Sequence, residues 1–317
     1  MSIFKKKFYL TPFFWLVAAF LLPGLNLIFS GCRWSDPLFS FLVHRGIMAF
    51  LIGGALALSG LIFQGIFRNP LADPYILGIS SGAAVGAAAV FVFAPVLLLV
   101  ILVPAGAFAG ALATLAAVLF ISGTGNSSTE RLLLSGVVTG VIVSSILICL
   151  VTLSNAEQLA GVTWWMLGDL QGGNSISIGV LSLLCVLMLC VFRYFANDLN
   201  VLSLGDDEAA LRGVHVRKIR LLFVLGGAFL SSICVALAGI IGFVGLIVPH
   251  IIRLLNGSDH RKNLLLTFTA GGFFLQLCDL AALWLSGTRE IPVGVTSSCI
   301  GGGIFLFLLA RNNRGKR

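Results

Sequence analysis

Apolar runs long enough to cross a membrane recur along almost the whole of this 317-residue chain. A helix needs roughly 20 apolar residues to span the hydrocarbon of a bilayer. The runs are continuously apolar, which argues against the alternating pattern of a membrane barrel. Only 10% of the residues are charged, and the mean hydropathy is +1.07. We therefore predict an all-α, polytopic membrane protein with about ten transmembrane helices, at residues 8–30, 41–64, 75–93, 95–120, 131–153, 175–195, 219–238, 240–256, 264–285 and 291–310.

The basic residues predict the orientation of these helices, because cytoplasmic loops of membrane proteins collect Lys and Arg. With the N-terminus inside and an even number of spans, only Arg33, Arg45 and Arg289 of the 20 basic residues fall outside. We expect both termini in the cytoplasm. The net charge of +8 then reflects membrane orientation, and no nucleic-acid partner is needed to explain it.

The composition does not favour a metal centre or a nucleotide site. No pair of the seven cysteines forms a C-x-x-C motif, and His250, Asp259 and His260 lack the spacing of a zinc site. We therefore predict no metal or other cofactor on this chain. A phosphate-binding G-x-x-x-x-G-K-[ST] loop is also missing from the sequence. If ATP drives the protein, a partner subunit must hydrolyse it.

Glycine pairs four residues apart indicate close helix packing. They occur at Gly82 and Gly86, at Gly106 and Gly110, and at Gly136 and Gly140. Two glycines on one helix face let a neighbouring backbone approach closely, so the spacing predicts a tight bundle.

Two motifs leave alternatives open. Asp279 is the one acid well inside a predicted span, so it is either a proton relay or a structural group that stays protonated or bonds to a neighbouring helix. The segment GISSG, with Ser80 and Ser81, matches the G-x-S-x-G motif of hydrolases. It lies at the mouth of a membrane helix without a histidine nearby, which favours packing serines over an intramembrane hydrolase.

Polar segments between the spans have their own patterns. Residues 196–218 contain DDEAALRGV, which predicts a short helix that starts with acids and ends at Gly213. Residues 154–174 carry Trp164 and Trp165, which fit an interfacial anchor or a re-entrant half-helix. In RNPLADP, two prolines predict a rigid turn.

Several segments together resemble the FecCD-type permease subunits of bacterial ABC importers for iron-siderophore complexes, haem and vitamin B12. They are GALALSGLIFQGIFRNPLADPYILGISSGAAVGA, STERLLLSG, WWMLGDL, GDDEAALRGV, AGIIGFVGLIVPHIIRL and REIPVGVTSSCIGGGIFLFLL, in that order along the chain. The resemblance implies a single permease domain over residues 1–317, in the bacterial cytoplasmic (inner) membrane and without enzyme activity of its own. It also implies a second permease copy, two ATP-binding subunits and a periplasmic or lipid-anchored substrate-binding protein as partners.

The same resemblance implies roles for individual residues. The cytoplasmic gate would comprise Asn69, Leu71, Ser128 and Thr129, although a tight turn and a capped helix start explain the same residues. Contact with the ATPase falls on Asp207, Glu208, Ala209, Ala210 and Gly213, and docking of the binding protein falls on Arg45 and Arg289. Headgroup anchoring is the alternative for both arginines. The helices at 131–153 and 291–310 would line the pathway. A proton-coupled transporter that uses Asp279 is the second functional hypothesis.

Overall fold

The computed structural model describes Trp15 and residues 37–123, 129–170, 173–286 and 290–314. Throughout these ranges the regular structure is helical. The helices are α1 (Pro37–Ile66), α2 (Ile79–Phe93), α3 (Leu99–Ser122), α4 (Thr129–Thr152), α5 (Ala156–Met166), α6 (Ser175–Tyr194), α7 (Ala196–Leu202), α8 (Asp206–Leu211), α9 (Val216–Ala238), α10 (Val244–Asn256), α11 (His260–Leu285) and α12 (Val293–Arg314), and a 3₁₀ turn at Val96–Leu98 precedes α3.

Seven helices are long and apolar enough to cross a membrane, namely α1, α3, α4, α6, α9, α11 and α12. Two shorter apolar helices, α2 and α10, match two further predicted spans. The prediction of an all-helical membrane chain is therefore confirmed. The predicted span at 8–30 lies outside the described residues, apart from Trp15, whose ring packs edge-on against Phe273 of α11 at 4.9 Å between centroids.

Helix α1 is the centre of the bundle. Most of its length is buried, and it packs against α11, α9, α10 and α6. Glycine makes these contacts possible: a Cβ added at Gly53 would lie 2.4 Å from the carbonyl oxygen of Gly271, and one at Gly60 would lie 1.7 Å from that of Gly245. Neither distance is compatible with a side chain, so α1 meets its neighbours through backbone atoms.

Two of the three predicted glycine pairs, Gly82 with Gly86 and Gly106 with Gly110, lie at the interface of α2 and α3. A Cβ at Gly86 would lie 2.0 Å from the carbonyl oxygen of Gly106, and one at Gly110 would lie 2.2 Å from that of Gly82. Gly136 of α4 is similarly close to the segment before α2, since its Cβ would lie 2.7 Å from the carbonyl oxygen of Ile76. The close packing expected from the G-x-x-x-G spacing is therefore present.

Helices α2 and α10 each start four residues later than predicted, because the helical backbone is broken before them. Helix α2 begins at Ile79, after Gly78 in the left-handed region at φ 74°. Helix α10 begins at Val244, after Gly239 at φ 67° and Phe243 at φ 68°. Left-handed residues end a helix, so the residues predicted as helical at 75–78 and 240–243 form non-helical segments instead.

Segments 67–78, 196–215 and 257–259 lie at one end of the bundle, which we call the basic end because most loop Lys and Arg residues are there. Helix α5 lies at the opposite end. Asn155 and Gln158 form a reciprocal capping box at its start, and the Gln158 amide also donates to the carbonyl of Val92 in α2. Trp164, on the last turn of α5, is 56% exposed. The segment predicted as an interfacial anchor or a re-entrant half-helix is thus a short helix at the opposite end, and both predictions stay open.

Gly86→Ala should destabilise the bundle, because the added methyl group would overlap the backbone of α3 and force α2 away from it. Overpacking of this kind costs roughly 1–3 kcal/mol, so we expect a lower apparent melting temperature in detergent. Gly179→Ala on the exposed face of α6 is the matched control, since a Cβ there would meet nothing within 4 Å. Equal melting temperatures for the two variants would contradict the α2–α3 contact.

Candidate functional site

Two Asx turns shape segment 67–78 at the basic end. Asn69 Oδ1 accepts a hydrogen bond from the N–H of Leu71 at 3.0 Å, and Asp73 Oδ1 accepts one from the N–H of Tyr75 at 2.8 Å. Short amide and carboxylate side chains favour such turns because they reach the backbone two residues ahead. Burial raises the pKa of Asp73 to about 6, although the hydrogen bond from Tyr75 acts in the opposite direction. Leu71 is 48% exposed and projects from the turn.

The second half of this segment enters the bundle and meets the break before α10. A Cβ on Gly245 would lie 2.2 Å from Cγ of Pro74, so glycine is required there for the two segments to touch. The Tyr75 hydroxyl donates to the carbonyl of Ile241 at 3.1 Å. This bond satisfies a carbonyl that the broken helix leaves without an internal partner.

Polar side chains tie the same break to α1. The Gln64 amide donates to the carbonyl of Leu246 at 3.0 Å, and Arg253 of α10 donates to the Gln64 side-chain oxygen. Among the described residues other than glycine, only Arg68 and Phe243 have a positive φ, and each lies at one of the two breaks. Backbone strain of this kind persists only where the surrounding structure holds it in place.

Helix α8 is a compact knob at the basic end. It ends in a Schellman motif, in which the N–H of Gly213 bonds to the carbonyl of Ala210 and the N–H of Val214 bonds to that of Ala209, both at 3.0 Å. Gly213 adopts φ 79°, as the motif requires. The predicted helix with a glycine stop is therefore confirmed.

The side chains of α8 divide into an inner and an outer face. Ala209 is fully buried, whereas Asp207, Glu208 and Ala210 are exposed. Leu211 at the end of the helix is 83% exposed. The predicted contact residues Asp207, Glu208 and Ala210 are therefore accessible from outside the bundle, whereas Ala209 is not.

Asp206 joins α8 to the turn and to α9. Its carboxylate accepts hydrogen bonds from Arg68 of segment 67–78 and from Arg220 of α9, the latter at 2.5 Å. Partial burial acts to raise the pKa of Asp206, but the hydrogen bond from Arg220 and the charges of Arg220 and Arg68 outweigh it and hold the pKa below its ordinary value. One carboxylate thus connects the proposed ATPase contact with the proposed gate.

Of the other two predicted gate residues, the structure describes only one, and the two predicted pathway helices are largely exposed. Thr129 begins α4, whereas Ser128 lies outside the described residues. Most of α4 and α12 is unburied, and their exposed residues are mainly apolar. Both predicted pathway helices therefore leave a large surface open in the single subunit.

The predicted docking residue Arg45 lies at the opposite end, in a buried ion pair with Asp279. Arg45 Nε lies 3.0 and 3.1 Å from the two Asp279 carboxylate oxygens, and Nη2 lies 2.8 Å from Oδ1. The two side chains are only 6% and 4% exposed. This geometry agrees with the structural interpretation of Asp279, in which its carboxylate bonds to a neighbouring helix.

Arg45 also lines a pocket of about 240 Å³ at the opposite end. Arg45, Trp164, Trp165, Asp169 and Glu290 are among the residues that line it. Arg289 lies outside the described residues, although its neighbour Glu290 is at the pocket. The docking role of both arginines stays a prediction.

The hydrogen bonds of Asp259, His260 and Ser81 favour structural roles over a metal site or a catalytic serine. Asp259 accepts from Asn200 and from the N–H of Arg261, and His260 Nδ1 lies 2.8 Å from the Asn200 oxygen, as expected of loop-stabilising groups. Within the described ranges no cluster of His, Cys, Asp and Glu could hold a metal. Ser81 Oγ lies 3.0 Å from Ser144 Oγ, which matches the packing interpretation of GISSG.

The sequence predicts an ATPase contact in this region but does not predict that Asp206 joins α8 to Arg68 and Arg220. The sequence does indicate that Asp206 is the first residue of a helix, because it follows Gly205 directly. The basic partners could not be found in the same way, because Arg68 and Arg220 are distant in sequence and meet only in the folded bundle.

Comparisons with known proteins agree with this architecture. The model of the FecCD transport family matches residues 16–311. The hemin transport system permease protein HmuU of Yersinia pestis is 41% identical over 271 residues, covering 84% of this chain and 81% of that protein. The vitamin B12 import system permease protein BtuC of Klebsiella pneumoniae is 34% identical over 316 residues, covering 95% of each. A solved inward-facing structure, assigned to the metal-chelate type of ABC transporter, has a TM-score of 0.85 and 29% identity, covering 95% of this chain and 98% of its own.

The helical bundle, its buried breaks and its exposed knob define a membrane transport permease. The chain belongs to the FecCD transport family. The family resemblance in the sequence is thereby confirmed.

Removing one member of the Arg45–Asp279 pair should destabilise the protein strongly, because the other charge would be left buried and unpaired. Breaking such a pair costs about 3–5 kcal/mol, whereas replacing both partners by apolar residues of similar size is often tolerated. We expect Asp279→Leu and Arg45→Met each to lower the apparent melting temperature in detergent. The double variant should recover most of the loss, and single variants that melt like the wild type would contradict a structural ion pair.

Proposed function

We propose that this protein is the membrane-spanning permease subunit of an ATP-binding-cassette importer. In this proposal two copies of the chain form a homodimer in the bacterial cytoplasmic (inner) membrane, and each copy binds one of two separate ATP-binding subunits. A periplasmic or lipid-anchored binding protein delivers the cargo. The chain itself holds no cofactor, and the ATP is hydrolysed by the partner subunits.

The observation that carries the proposal is the position of α8. Its outer face is exposed, its end is capped, and Asp206 at its start is paired with Arg68 and Arg220. A rigid helix of this kind can fit a cleft in a partner. Movement of an ATPase against Asp207, Glu208, Ala210 and Leu211 would reach segment 67–78 through the Asp206–Arg68 contact.

Segment 67–78 is the element that such a movement would displace. Asn69 and Leu71 lie at its tip, and its other half rests on the break before α10. In the proposed cycle these two residues, with Ser128 and Thr129, close the cytoplasmic end of the pathway. The strained φ of Arg68, next to Asn69, is consistent with a switch at this point.

The proposed pathway is lined by α4 and α12, and the character of these helices bears on the kind of cargo. Their largely apolar, unburied surfaces suit the axis of a dimer, and in the sequence no charged residue lies between Arg131 and Thr152 or between Val293 and Ala310. A wide conduit of weak polarity suits a bulky chelate that must pass without binding tightly. The relatives named for hemin and vitamin B12, and the neighbour of metal-chelate type, lead us to propose an iron-siderophore, haem or corrinoid cargo.

The proposed orientation places the basic end in the cytoplasm, with ten spans in one permease domain over residues 1–317. The opposite end then faces the binding protein. Arg45 and Arg289 are our candidates for docking, and the position of Arg45 at the outer pocket supports its part. An acidic side chain of the binding protein would have to reach into this pocket to meet it.

The second hypothesis, proton-coupled transport through Asp279, is less favoured because both Nε and Nη2 of Arg45 donate hydrogen bonds to the Asp279 carboxylate. A relay must exchange protons with water, whereas the Asp279 side chain is only 4% exposed and both of its carboxylate oxygens accept hydrogen bonds from Arg45.

Uptake measurements separate the two functions. In a strain that lacks the gene, we would compare labelled iron siderophore, haem and vitamin B12, and repeat the assay with a Walker-lysine variant of the neighbouring ATPase. We expect one cargo to be lost in both strains. Uptake that persists without a functional ATPase would contradict the importer. Its loss in Asp279→Asn, with an unchanged amount of folded protein in the membrane, would favour proton coupling.

Leu211→Asp should weaken capture of the ATPase without unfolding the bundle, since Leu211 is 83% exposed and a carboxylate would have to be desolvated in an apolar cleft. We expect at least tenfold less ATPase to co-purify, together with loss of uptake. Leu153→Asp is the matched control, because Leu153 is 71% exposed at the opposite end. Normal ATPase capture by Leu211→Asp would remove α8 from the interface.

A further inference from the structure

A groove with two arginines lies on the outside of the bundle at the basic end. Its volume is about 700 Å³, which is in the range of ligand sites. It is lined by Leu189, Cys190, Arg193 and Tyr194 of α6, Asn197 of α7, and Arg261, Leu264 and Leu265 of α11. None of these residues belongs to the proposed gate, the pathway or the ATPase contact.

The groove has an apolar part and a basic part. Leu264 is 1% exposed and forms the floor, whereas Leu265 and Tyr194 form walls that are 49% and 81% exposed. Arg193 lies in the last turn of α6 and Arg261 in the first turn of α11, so both guanidinium groups are at the level where a span leaves the hydrocarbon. The part of the groove within the membrane span is therefore apolar, and the part next to the loops is cationic.

Among the arginines whose side chains the structure describes, Arg193 and Arg261 differ from the others in having no side-chain partner in the described ranges. Every other arginine whose side chain the structure describes makes a polar contact or an electrostatic interaction, for example Arg45 with Asp279 and Arg253 with Gln64. In these same ranges Arg193 and Arg261 have neither an ion pair nor a side-chain hydrogen bond. Two unpaired cations on either side of one groove favour an anionic ligand.

The nearby acids do not fill this role. Asp198 and Asp259 are close in sequence to the groove but do not line it. Asp259 is occupied by Asn200, by the N–H of Arg261 and by Lys262, whose Nζ lies 3.6 Å away. The N-terminal segment 1–14 carries three lysines and no acid, so its charge opposes docking on two arginines.

We propose that this groove binds an anionic phospholipid of the leaflet at the basic end. Arg193 and Arg261 contact the phosphate, Asn197 and Tyr194 lie beside the headgroup, and the leucines and Cys190 contact the upper acyl chain. Basic pockets between transmembrane helices at the cytoplasmic surface recognise anionic headgroups in this way. Because α7 also joins α11 through Asn200 and His260, a bound lipid would bridge the same helices at their membrane surface.

The test measures retained lipid by native mass spectrometry on the full-length chain in its native complex, titrated with phosphatidylglycerol or phosphatidylcholine. Each arginine near the surface contributes enough for about a fivefold change in affinity. We expect Arg193→Gln and Arg261→Gln each to weaken phosphatidylglycerol binding about fivefold, and the double variant to weaken it roughly thirtyfold. Arg217→Gln with Lys218→Gln, at the start of α9, removes the same charge outside the groove and should leave the affinity unchanged.

Cys190 supplies a second measurement that is independent of folding and of transport. Phosphatidylglycerol should slow alkylation of Cys190 at least threefold in the wild type, while the exposed thiols of Cys149 and Cys299 outside the groove react as before. Equal protection by phosphatidylcholine or by soluble glycerol phosphate would overturn the assignment. So would an unchanged phosphatidylglycerol affinity in the double arginine variant.

Discussion

Backbone-to-backbone contact between helices is the constraint on which this structure depends. Lipid offers no hydrophobic force to hold helices together, so association relies on close packing, and only glycine lets two backbones touch. In α1 this requirement falls on Gly53 and Gly60, which face Gly271 and Gly245. The position of α10 therefore follows from one glycine pair. The non-helical segment before α10, and segment 67–78 that packs against it at Pro74, lie next to the contact between Gly60 and Gly245.

A membrane bundle can contain non-helical backbone only where protein satisfies its polar groups. The two breaks meet this condition together, since the Tyr75 hydroxyl reaches the carbonyl of Ile241 and the Gln64 amide reaches that of Leu246. The strained residues Arg68 and Phe243 lie at the same breaks. Arg68 also holds Asp206 at the start of α8, so the most constrained backbone of the described chain is coupled to its exposed knob.

Charge is used differently at the two ends of the bundle. At the opposite end, Arg45 and Asp279 neutralise each other out of water, which supports the packing of α1 on α11. At the basic end, Asp206 is shared between two arginines and is partly exposed, so the contact can rearrange at lower cost. Arg193 and Arg261 represent a third case, in which the bilayer itself supplies the counter-charge.

The sequence alone determined the class of the protein and most of its helices, because span length, charge bias and glycine spacing are local properties of the chain. The DDEAALRGV motif likewise predicted a short helix with a glycine stop, since capping is decided within a few residues. The late starts of α2 and α10 were not predictable from hydropathy, because residues 75–78 and 240–243 are largely apolar, and the left-handed backbone of Gly78, Gly239 and Phe243 is not visible in a hydropathy profile. Tertiary structure alone decided that Asp279 pairs with Arg45, that Asp206 joins Arg68 to Arg220, and that Arg193 lies across a groove from Arg261. These residues lie on different elements of the chain, and only the packing of the helices brings them close together.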